Sequence, residues 1–421
     1  MEVFKFGGAS VKDADGIKNL SLILKKNIGK QLLVVISAMG KTTNALEKLT
    51  KSYFDKKDDV FDILDEIKTY HFSILDQLFE NKNAKVFDEL NNTFVEIEWI
   101  IEDEPQDEFN FIYDQIVSIG EILSTKIVSH YLNTVGINNK WLDARSYIQT
   151  DNTYREAKIN WEKTEKLIAQ GIPPILKEQM AITQGFIGNT SENFTTTLGR
   201  EGSDYTASIF ASCLNASQVT VWKDVPGILN ADPKLFKDTQ KLDELSYAEA
   251  IEMTYYGATV IHPKTIKPLQ NKGIPLFVKP FMQPEEAGTI IKEADIAIRI
   301  PILIVKQNQL LLSISTKDFS FMTEHHLKDL FAAFSQTNIK INMMQVSALS
   351  FSACFDDDES KFNQLKNLLE ANFSYKYNNH LQLITIRHAT EDSIKTYAQA
   401  KSLLLEQRSR TTAQFILKND E

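Results

Sequence analysis

The chain has 421 residues, which is long for a single hydrophobic core and predicts two or three domains. Hydrophobic residues make up 43% and charged residues 24%, a composition typical of globular rather than disordered proteins. The formal net charge of −10 argues against a nucleic-acid partner and requires any pocket for an anion to be locally basic.

Membrane and cysteine patterns narrow the class of protein further. No apolar run is long enough to span a membrane, and the first residues lack the pattern of a signal peptide. We therefore expect a cytoplasmic protein with no membrane partner. Cys213 and Cys354 lie far apart, each in an apolar stretch, so we expect buried thiols rather than a disulfide or a thiolate metal site.

The amino-terminal segment combines a strand, a glycine turn and a helix. Residues 3–6 predict a buried strand, and apolar residues then recur at helical spacing, at Ile17, Leu20, Leu24 and Ile28. Between them, Gly7 and Gly8 allow a sharp turn that brings N–H groups close to a ligand. Lys5 and a helix N-terminus add positive charge. The segment suits a phosphate, although such a turn is more often only structural.

A second buried strand, residues 31–37, ends in the polar loop SAMGKTTN. Polar loops at the carboxyl ends of parallel strands are where open α/β sheets bind ligands. Residues 45 to about 110 then predict a helical cover, in which the acidic stretch 96–108 is a solvated face.

The next predicted helix is interrupted by Gly120-Glu121, and its apolar residues are Ile116, Ile119, Ile122, Leu123 and Ile127. A glycine within a helix costs about 1 kcal/mol relative to alanine, so it needs a reason. The carboxylate of Glu121 lies among apolar residues and is costly to bury without a cation. A substrate ammonium and a structural arginine are both possible partners at this point.

Strands over residues 140–144 and 181–187 precede the segment TTTLGREGSDYT, residues 195–206. A helix over 203–214 is predicted, with Ser203 and Asp204 in capping positions. Arg200 lies in the preceding loop, where its planar fork suits a carboxylate or, alternatively, a surface salt bridge. The following loop, WKDVPGILNADPK, places two lysines and two aspartates close to another predicted strand.

From residue 302 the pattern changes to strands alternating with helices. The predicted strands are 302–315, 340–356, 381–388 and 411–417, and the predicted helices are 324–335, 360–370 and 391–407. This βαββαβ rhythm favours ferredoxin-like units. We interpret the acidic residues 356–359 as a solvated turn before a helix rather than a metal site.

Six segments together resemble a known family. In order they are KFGGAS, SAMGKTTN, Gly120-Glu121, TTLGREGSDYTA, WKDVPGILNADPK and YYGATVIHPKT. They resemble the signature motifs of aspartate kinases, which have the amino acid kinase fold, over about residues 2–295. The resemblance implies a three-layer α/β catalytic domain with a mainly parallel open sheet over residues 1–295. The tail, residues 296–421, is similar to paired, intertwined ACT-type regulatory modules.

The resemblance also implies a reaction, ligands and partners. The reaction is phosphorylation of the β-carboxylate of L-aspartate by ATP, with Mg²⁺ bound with the ATP, giving aspartyl-4-phosphate for amino-acid biosynthesis. Lysine or threonine is the implied effector at the ACT region, and a homodimer or higher homo-oligomer is the implied assembly.

Carried over by position, the resemblance assigns residues to roles. The implied catalytic residues are Lys5 and Asp204. The implied aspartate-binding residues are Ser37, Thr43, Glu121, Arg200 and Ser203, with Glu121 on the ammonium and Arg200 on the α-carboxylate. The implied ATP-binding residues are Lys5, Phe6, Gly7, Gly8, Ser10, Lys223, Asp224, Asn230, Asp232, Lys234 and Thr259. No metal site built from the protein's own residues is expected.

One departure from the family motifs affects the phosphate site. Thr259 stands where the family has a lysine that binds the ATP phosphates, so one positive charge is missing. Lys223 or Lys234 are candidates to replace it. A non-catalytic or weakly active sensor of amino acids or nucleotides on the same scaffold is the alternative function.

Overall fold

The computed structural model describes residues 1–82, 84–258, 261–296, 298–318, 320–400 and 402–418. The described residues form two compact units. The first draws on residues 1–228, 241–251 and 259–296, and the second on residues 229–240, 252–258 and 297–421. None of the described helices is both long and apolar enough to cross a membrane.

The strands up to residue 296 are short. In chain order they are β1 (Glu2–Phe6), β2 (Leu32–Ile36), β3 (Asn139–Leu142), β4 (Met180–Gln184), β5 (Ile187–Asn189), β6 (Thr195–Thr197), β7 (Gln218–Lys223), β8 (Ile228–Leu229), β9 (Lys241–Leu242), β10 (Glu244–Ser246), β11 (Leu276–Pro280) and β12 (Thr289–Lys292).

Eight of these strands form one sheet in the order β10-β12-β11-β7-β1-β2-β4-β3. The run from β11 to β3 is parallel throughout, and β12 is antiparallel to β11. Every residue of β2 (LLVVI) is buried, as expected for a parallel strand covered on both faces. Because the strands are parallel, β1, β2, β4 and β7 end at the same edge, where their polar loops meet.

Ten helices accompany these strands within the described residues. They are α1 (Ala14–Lys25), α2 (Thr42–Phe54), α3 (Val60–Leu78), α4 (Lys85–Glu102), α5 (Phe109–Val117), α6 (Ile119–Thr134), α7 (Trp161–Glu178), α8 (Gly202–Cys213), α9 (Tyr247–Tyr256) and α10 (Pro263–Lys272). Helices α2, α3 and α4 are the cover predicted for residues 45 to about 110. Helix α1 ends before Ile28, which is 58% exposed, so Ile28 does not continue the helical pattern of Ile17, Leu20 and Leu24.

The single helix predicted around Gly120 is in fact two helices, α5 and α6, that meet at Ser118. Gly120 lies in the first turn of α6, where a Cβ would lie 3.1 Å from Ala38 Cβ and 3.1 Å from Leu46 Cδ1. The glycine is therefore needed because α6 packs tightly against the loop after β2 and against α2.

The second unit contains a six-stranded sheet in the order β14-β15-β13-β16-β18-β17. Its elements are β13 (Ile302–Thr316), α11 (Glu324–Gln336), β14 (Ile341–Val346), β15 (Ser350–Asp356), α12 (Glu359–Leu369), β16 (Phe373–Arg387), α13 (Glu391–Ala398), β17 (Leu403–Arg408) and β18 (Thr412–Lys418). All pairs are antiparallel, and β14-β15-β13-β16 has the ferredoxin-like order.

Three predictions in this unit need correction. Residues 340–356 form a hairpin of two strands rather than one strand, since residues 347–349 turn the chain back. Residues 391–407 are a short helix followed by strand β17, which pairs with β18. Strand β16 begins at Phe373, eight residues before the predicted start at Leu381, because its first half pairs with β13.

The acidic residues 356–359 lead into helix α12, and the two cysteines are buried, as the sequence predicted. Asp358 caps α12 by accepting a hydrogen bond from the Lys361 N–H at 3.1 Å, and the described residues include no His/Cys/Asp/Glu group able to hold a metal ion. Cys213 and Cys354 are free and buried, and burial raises the pKa of each thiol to about 12.

Candidate active site

The glycine turn after β1 packs directly against the loop after β2. The Gly40 N–H donates to the Gly8 carbonyl at 3.0 Å. A Cβ on Gly8 would lie 2.6 Å from the Ala38 carbonyl oxygen, so no other residue fits without displacing backbone. A Cβ on Gly7 would lie 3.6 Å from the Lys5 ammonium, which therefore sits beside the turn. Backbone N–H groups and one cation are thus held together at this edge.

Two lysines from neighbouring strands meet one buried aspartate. Lys5 Nζ lies 2.6 Å from Asp204 Oδ1, and Lys223 Nζ lies 3.6 Å from Asp204 Oδ2. Register explains the meeting, because β1 lies beside β7 and Lys5 pairs with Val221. Burial alone would raise the pKa of Asp204, but the two ammonium groups hold it below its usual value. The three side chains form a charged cluster with one net positive charge.

Asp204 lies in the first turn of α8 and does not cap it. The N-cap is Glu201, in the left-handed region at φ 54°, and no side chain caps the helix there. The capping role predicted for Ser203 and Asp204 is therefore wrong. Glu201 instead accepts a hydrogen bond from the His262 N–H at 2.8 Å. A Cβ on Gly185 would lie 2.4 Å from Ser203 Cβ, so the start of α8 packs closely on the end of β4.

Glu121 is buried without an ion-pair partner among the described residues. Its Oε1 accepts a hydrogen bond from the Ala38 N–H at 3.3 Å, and its Oε2 has no hydrogen-bond partner. Burial raises the pKa of Glu121 to about 8, against the opposing effects of the Ala38 N–H and the positive charge of Lys5. No arginine pairs with it in the described residues, so the structural-arginine alternative is not supported.

The other predicted aspartate-binding residues lie near the strand ends. Ser37 follows β2 and is half-buried, with its carbonyl accepting from Ser124 Oγ at 2.7 Å. Thr43 is half-buried in the first turn of α2. Arg200 is exposed, and its guanidinium makes no hydrogen bond or ion pair with the residues that the structure describes.

The predicted nucleotide-binding residues fall into separate places. Ser10 is buried in a short 3-10 turn, Gly8–Val11, and the Phe6 ring is buried and stacked on Trp222 with centroids 5.9 Å apart. Phe6 can therefore reach a ligand through its backbone rather than its ring. Asp224 is exposed just beyond β7.

Three of the remaining predicted nucleotide-binding residues lie outside the first unit. Asn230, Asp232 and Lys234 belong to the second unit. The Asn230 amide donates to the Pro301 carbonyl at 3.0 Å and accepts from the Gln240 N–H at 2.7 Å, which ties up its side chain locally. Thr259 lies outside the described residues.

Sequence reasoning missed Asp114. This residue lies on α5, is fully buried and accepts hydrogen bonds from Thr197 and Arg155. Burial raises its pKa to about 6, although these hydrogen bonds oppose the increase. The available signal was an acidic residue within the apolar stretch FNFIYDQIV, the same feature that drew attention to Glu121.

Comparisons with known proteins extend over most of the chain. Residues 1–280 match the amino acid kinase family. Lysine-sensitive aspartokinase 3 of Escherichia coli is 32% identical over 355 residues, covering 84% of this chain and 78% of that protein. Aspartokinase 1, chloroplastic, of Arabidopsis thaliana is 31% identical over 367 residues, covering 84% of this chain and 63% of that protein. The chain spans 42% of a bifunctional aspartokinase/homoserine dehydrogenase 2 from the same plant.

Solved structures show the same similarity. The crystal structure of E. coli aspartokinase III in complex with aspartate and ADP, its R-state, has a TM-score of 0.86 at 28% identity. The T-state of that protein, in complex with lysine and aspartate, has a TM-score of 0.82. Each comparison covers 99% of this chain and 96% of the other.

Proposed function

Since this chain belongs to the amino acid kinase family and is an aspartokinase, we propose specific roles for the residues at the shared edge of its parallel sheet. The predicted fold class and the predicted aspartate kinase activity are confirmed by the family match and the relatives. The individual residue roles are our proposal. The buried, unpartnered Oε2 of Glu121 supports it most directly, because such an oxygen can accept a hydrogen bond from a cationic ligand.

In this proposal Glu121 binds the α-ammonium of L-aspartate and Arg200 binds its α-carboxylate. Ser37, Thr43 and Ser203 complete the aspartate site. The ammonium supplies the positive charge that Glu121 lacks in the ligand-free protein. Arg200 has no partner among the described residues, so its planar fork is available for a bidentate bond. The β-carboxylate then faces the phosphate side of the site.

Lys5 and the N–H groups at Gly7 and Gly8 hold the ATP phosphates in this proposal, together with Ser10, the backbone of Phe6 and the residues after β7. The nucleophile is a β-carboxylate that is already ionised at neutral pH, so no general base is required. Phosphoryl transfer then depends on alignment and on neutralising charge on the γ-phosphate. Asp204 keeps Lys5 and Lys223 in place through its two carboxylate oxygens.

We also propose that Mg²⁺ binds together with ATP and adds positive charge on the phosphates. Asp204 is a poor metal ligand here because both of its oxygens already face ammonium groups. The phosphates themselves would therefore hold most of the ion. Lys223 is our candidate to replace the cation lost at Thr259.

Residues 296–421 are proposed to be regulatory, as intertwined ACT-type modules, and residues 1–295 are proposed to be the catalytic domain. Two observations support this proposal: the ferredoxin-like sheet, and the relative that is lysine-sensitive and was solved with lysine. Lysine is accordingly the first effector to test and threonine the second. A homo-oligomer and a cytoplasmic location stay predictions.

A coupled ADP-release assay tests the residue roles. With MgATP, wild type should turn over L-aspartate and respond to added lysine or threonine. Succinate, which lacks the α-ammonium, should be only a weak competitor of aspartate for the wild-type protein. Glu121→Gln should bind aspartate about as weakly as wild type binds succinate, because the variant has no carboxylate to pair with the ammonium. If Glu121→Gln still prefers aspartate to succinate as strongly as wild type does, Glu121 does not bind the ammonium.

A further inference from the structure

The buried carboxylate of Asp114 joins three parts of the first unit. Its Oδ2 accepts hydrogen bonds from the Thr197 N–H at 2.8 Å and from the Arg155 N–H at 3.0 Å. Its Oδ1 accepts one from Thr197 Oγ1 at 2.7 Å. Asp114 is fully buried on α5. A carboxylate can accept all three bonds, whereas an amide has only one accepting oxygen.

The two segments bound to Asp114 both adjoin the loop that carries Arg200. Thr197 is the last residue of β6, two residues before Gly199. Gly199 has φ +76°, and a Cβ there would lie 3.2 Å from the Arg155 carbonyl oxygen. The backbone at Arg155 therefore packs against Gly199, and Asp114 holds both segments at once. The Arg200 guanidinium itself has no partner among the described residues, so its location depends on this backbone.

The same turn of α5 also contacts the helix that carries Thr43. Tyr113, next to Asp114, donates its hydroxyl to the Glu47 carboxylate on α2, one turn beyond Thr43. The Arg155 guanidinium stacks over the Tyr113 ring at 4.4 Å. One turn of α5 thus connects the two elements to which our proposal assigns aspartate binding.

We propose that Asp114 is a positioning residue for the aspartate site: by holding Thr197 and the Arg155 backbone, its carboxylate sets where Arg200 presents its guanidinium. This inference rests on the proposed role of Arg200. Asp114 does not touch the substrate. Its effect should therefore appear in the affinity for aspartate and leave ATP binding unchanged.

The chain offers a matched control in the adjacent residue. Gln115 ties the same helix to the same strand, because its amide donates to the Thr195 carbonyl at 2.9 Å and accepts from the Thr195 N–H at 3.3 Å. Thr195 lies at the far end of β6 from the Arg200 loop. If docking of α5 on β6 were all that mattered, the two residues would behave alike.

The test measures KM for aspartate and for ATP, kcat and the melting temperature of full-length variants. Asp114→Asn should raise KM for aspartate about tenfold while KM for ATP and kcat change less than about twofold. Gln115→Ala should lower the melting temperature about as much as Asp114→Asn does, but it should change neither KM. Thr197→Val, which removes one of the three bonds, should give a smaller increase in KM for aspartate and serves if Asp114→Asn does not fold.

Arg200→Ala, alone and combined with Asp114→Asn, separates this inference from the proposed function. If Arg200→Ala raises KM for aspartate and Asp114→Asn adds little to it, Asp114 acts through Arg200. If Arg200→Ala raises KM but Asp114→Asn does not, or Gln115→Ala raises it equally, the positioning role is wrong and the aspartate site stands. If Arg200→Ala leaves KM unchanged, the proposed aspartate site itself is wrong.

Discussion

The two halves of the candidate active site differ in whether their charges are paired before a ligand arrives. On the phosphate side, Lys5 and Lys223 already face the two oxygens of Asp204. On the aspartate side, Glu121 Oε2 has no hydrogen-bond partner, and Arg200 has no partner among the described residues. The charges on the phosphate side are paired within the protein, while in our proposal the aspartate side is completed by its substrate.

Two buried carboxylates show the physical basis of this difference. Asp204 is 3% exposed and Glu121 is 2% exposed, so burial penalises the ionised form of each. Nevertheless the pKa of Asp204 is lowered, whereas the pKa of Glu121 is raised to about 8. Burial is the same in the two cases, and the neighbouring ammonium groups decide the outcome. A buried carboxylate can therefore be kept ionised by neighbouring ammonium groups, or it can lie without a cation until a ligand supplies one.

The largest effect should come from breaking the paired half. Lys5→Ala removes the closer cation, so kcat should fall by about 30- to 10³-fold, equivalent to roughly 2–4 kcal/mol in the transition state. KM for aspartate should change little, because the aspartate side is intact. Steady-state kinetics of ADP release check this, with Lys26→Ala, an exposed lysine, as the control. Near-normal turnover in Lys5→Ala would reduce the glycine turn to a purely structural feature.

The second effect concerns the unpaired half and its stability. The pKa of Glu121 in the folded protein, about 8, lies above the ordinary glutamate value of 4.5. The folded state thus binds a proton more tightly, and this contribution to stability is lost as pH rises from about 4.5 through about 8. Glu121→Gln should therefore be more stable than wild type without substrate at pH 8.5, by about 4–5 kcal/mol, and similar to it at pH 4.5.

Denaturant unfolding at several pH values, without substrate, measures this difference. Saturating aspartate should remove it by stabilising only wild type. A variant that is less stable than wild type at every pH would show that Glu121 is a structural residue whose partner is already present.

The third prediction tests whether the aspartate half recognises shape as well as charge. Arg200→Lys keeps the charge but loses the planar fork, so KM for aspartate should rise about ten- to thirtyfold while KM for ATP stays within about twofold. Initial rates with either substrate varied give both constants. Equal increases in the two KM values would place Arg200 on the nucleotide and erase the distinction between the halves.

The smallest expected effect concerns Thr259 and Lys223. If Lys223 replaces the missing family cation, Lys223→Thr should lower kcat by up to about tenfold. Adding Thr259→Lys to that variant should raise kcat again by a few-fold. All four combinations are compared by ADP release. Additive effects of the two substitutions would mean that Lys223 does not share a partner with position 259.

Much of the fold was predictable because the signals were local. A buried strand, two glycines and an amphipathic helix stand in order at residues 3–25, and the structure has β1, the turn and α1 there. The βαββαβ rhythm likewise predicted the second sheet. Errors arose where a local pattern was ambiguous. The stretch 340–356 mixes apolar and polar residues and contains no glycine or proline, so the turn at residues 347–349 inside the hairpin β14–β15 gave no strong signal.

The sequence by itself determined which residue types lie at the strand ends. Glycine, lysine or acidic residues stand within a few positions of each apolar strand. Only the tertiary structure decided which of them meet. Lys5 and Lys223 share Asp204 because strand order places β7 beside β1, although 218 positions separate the two lysines (223 − 5). Asp114 reaches Thr197 across 83 positions for the same kind of reason. Pairing of buried charges depends on sheet order and helix docking, which are properties of the whole folded unit.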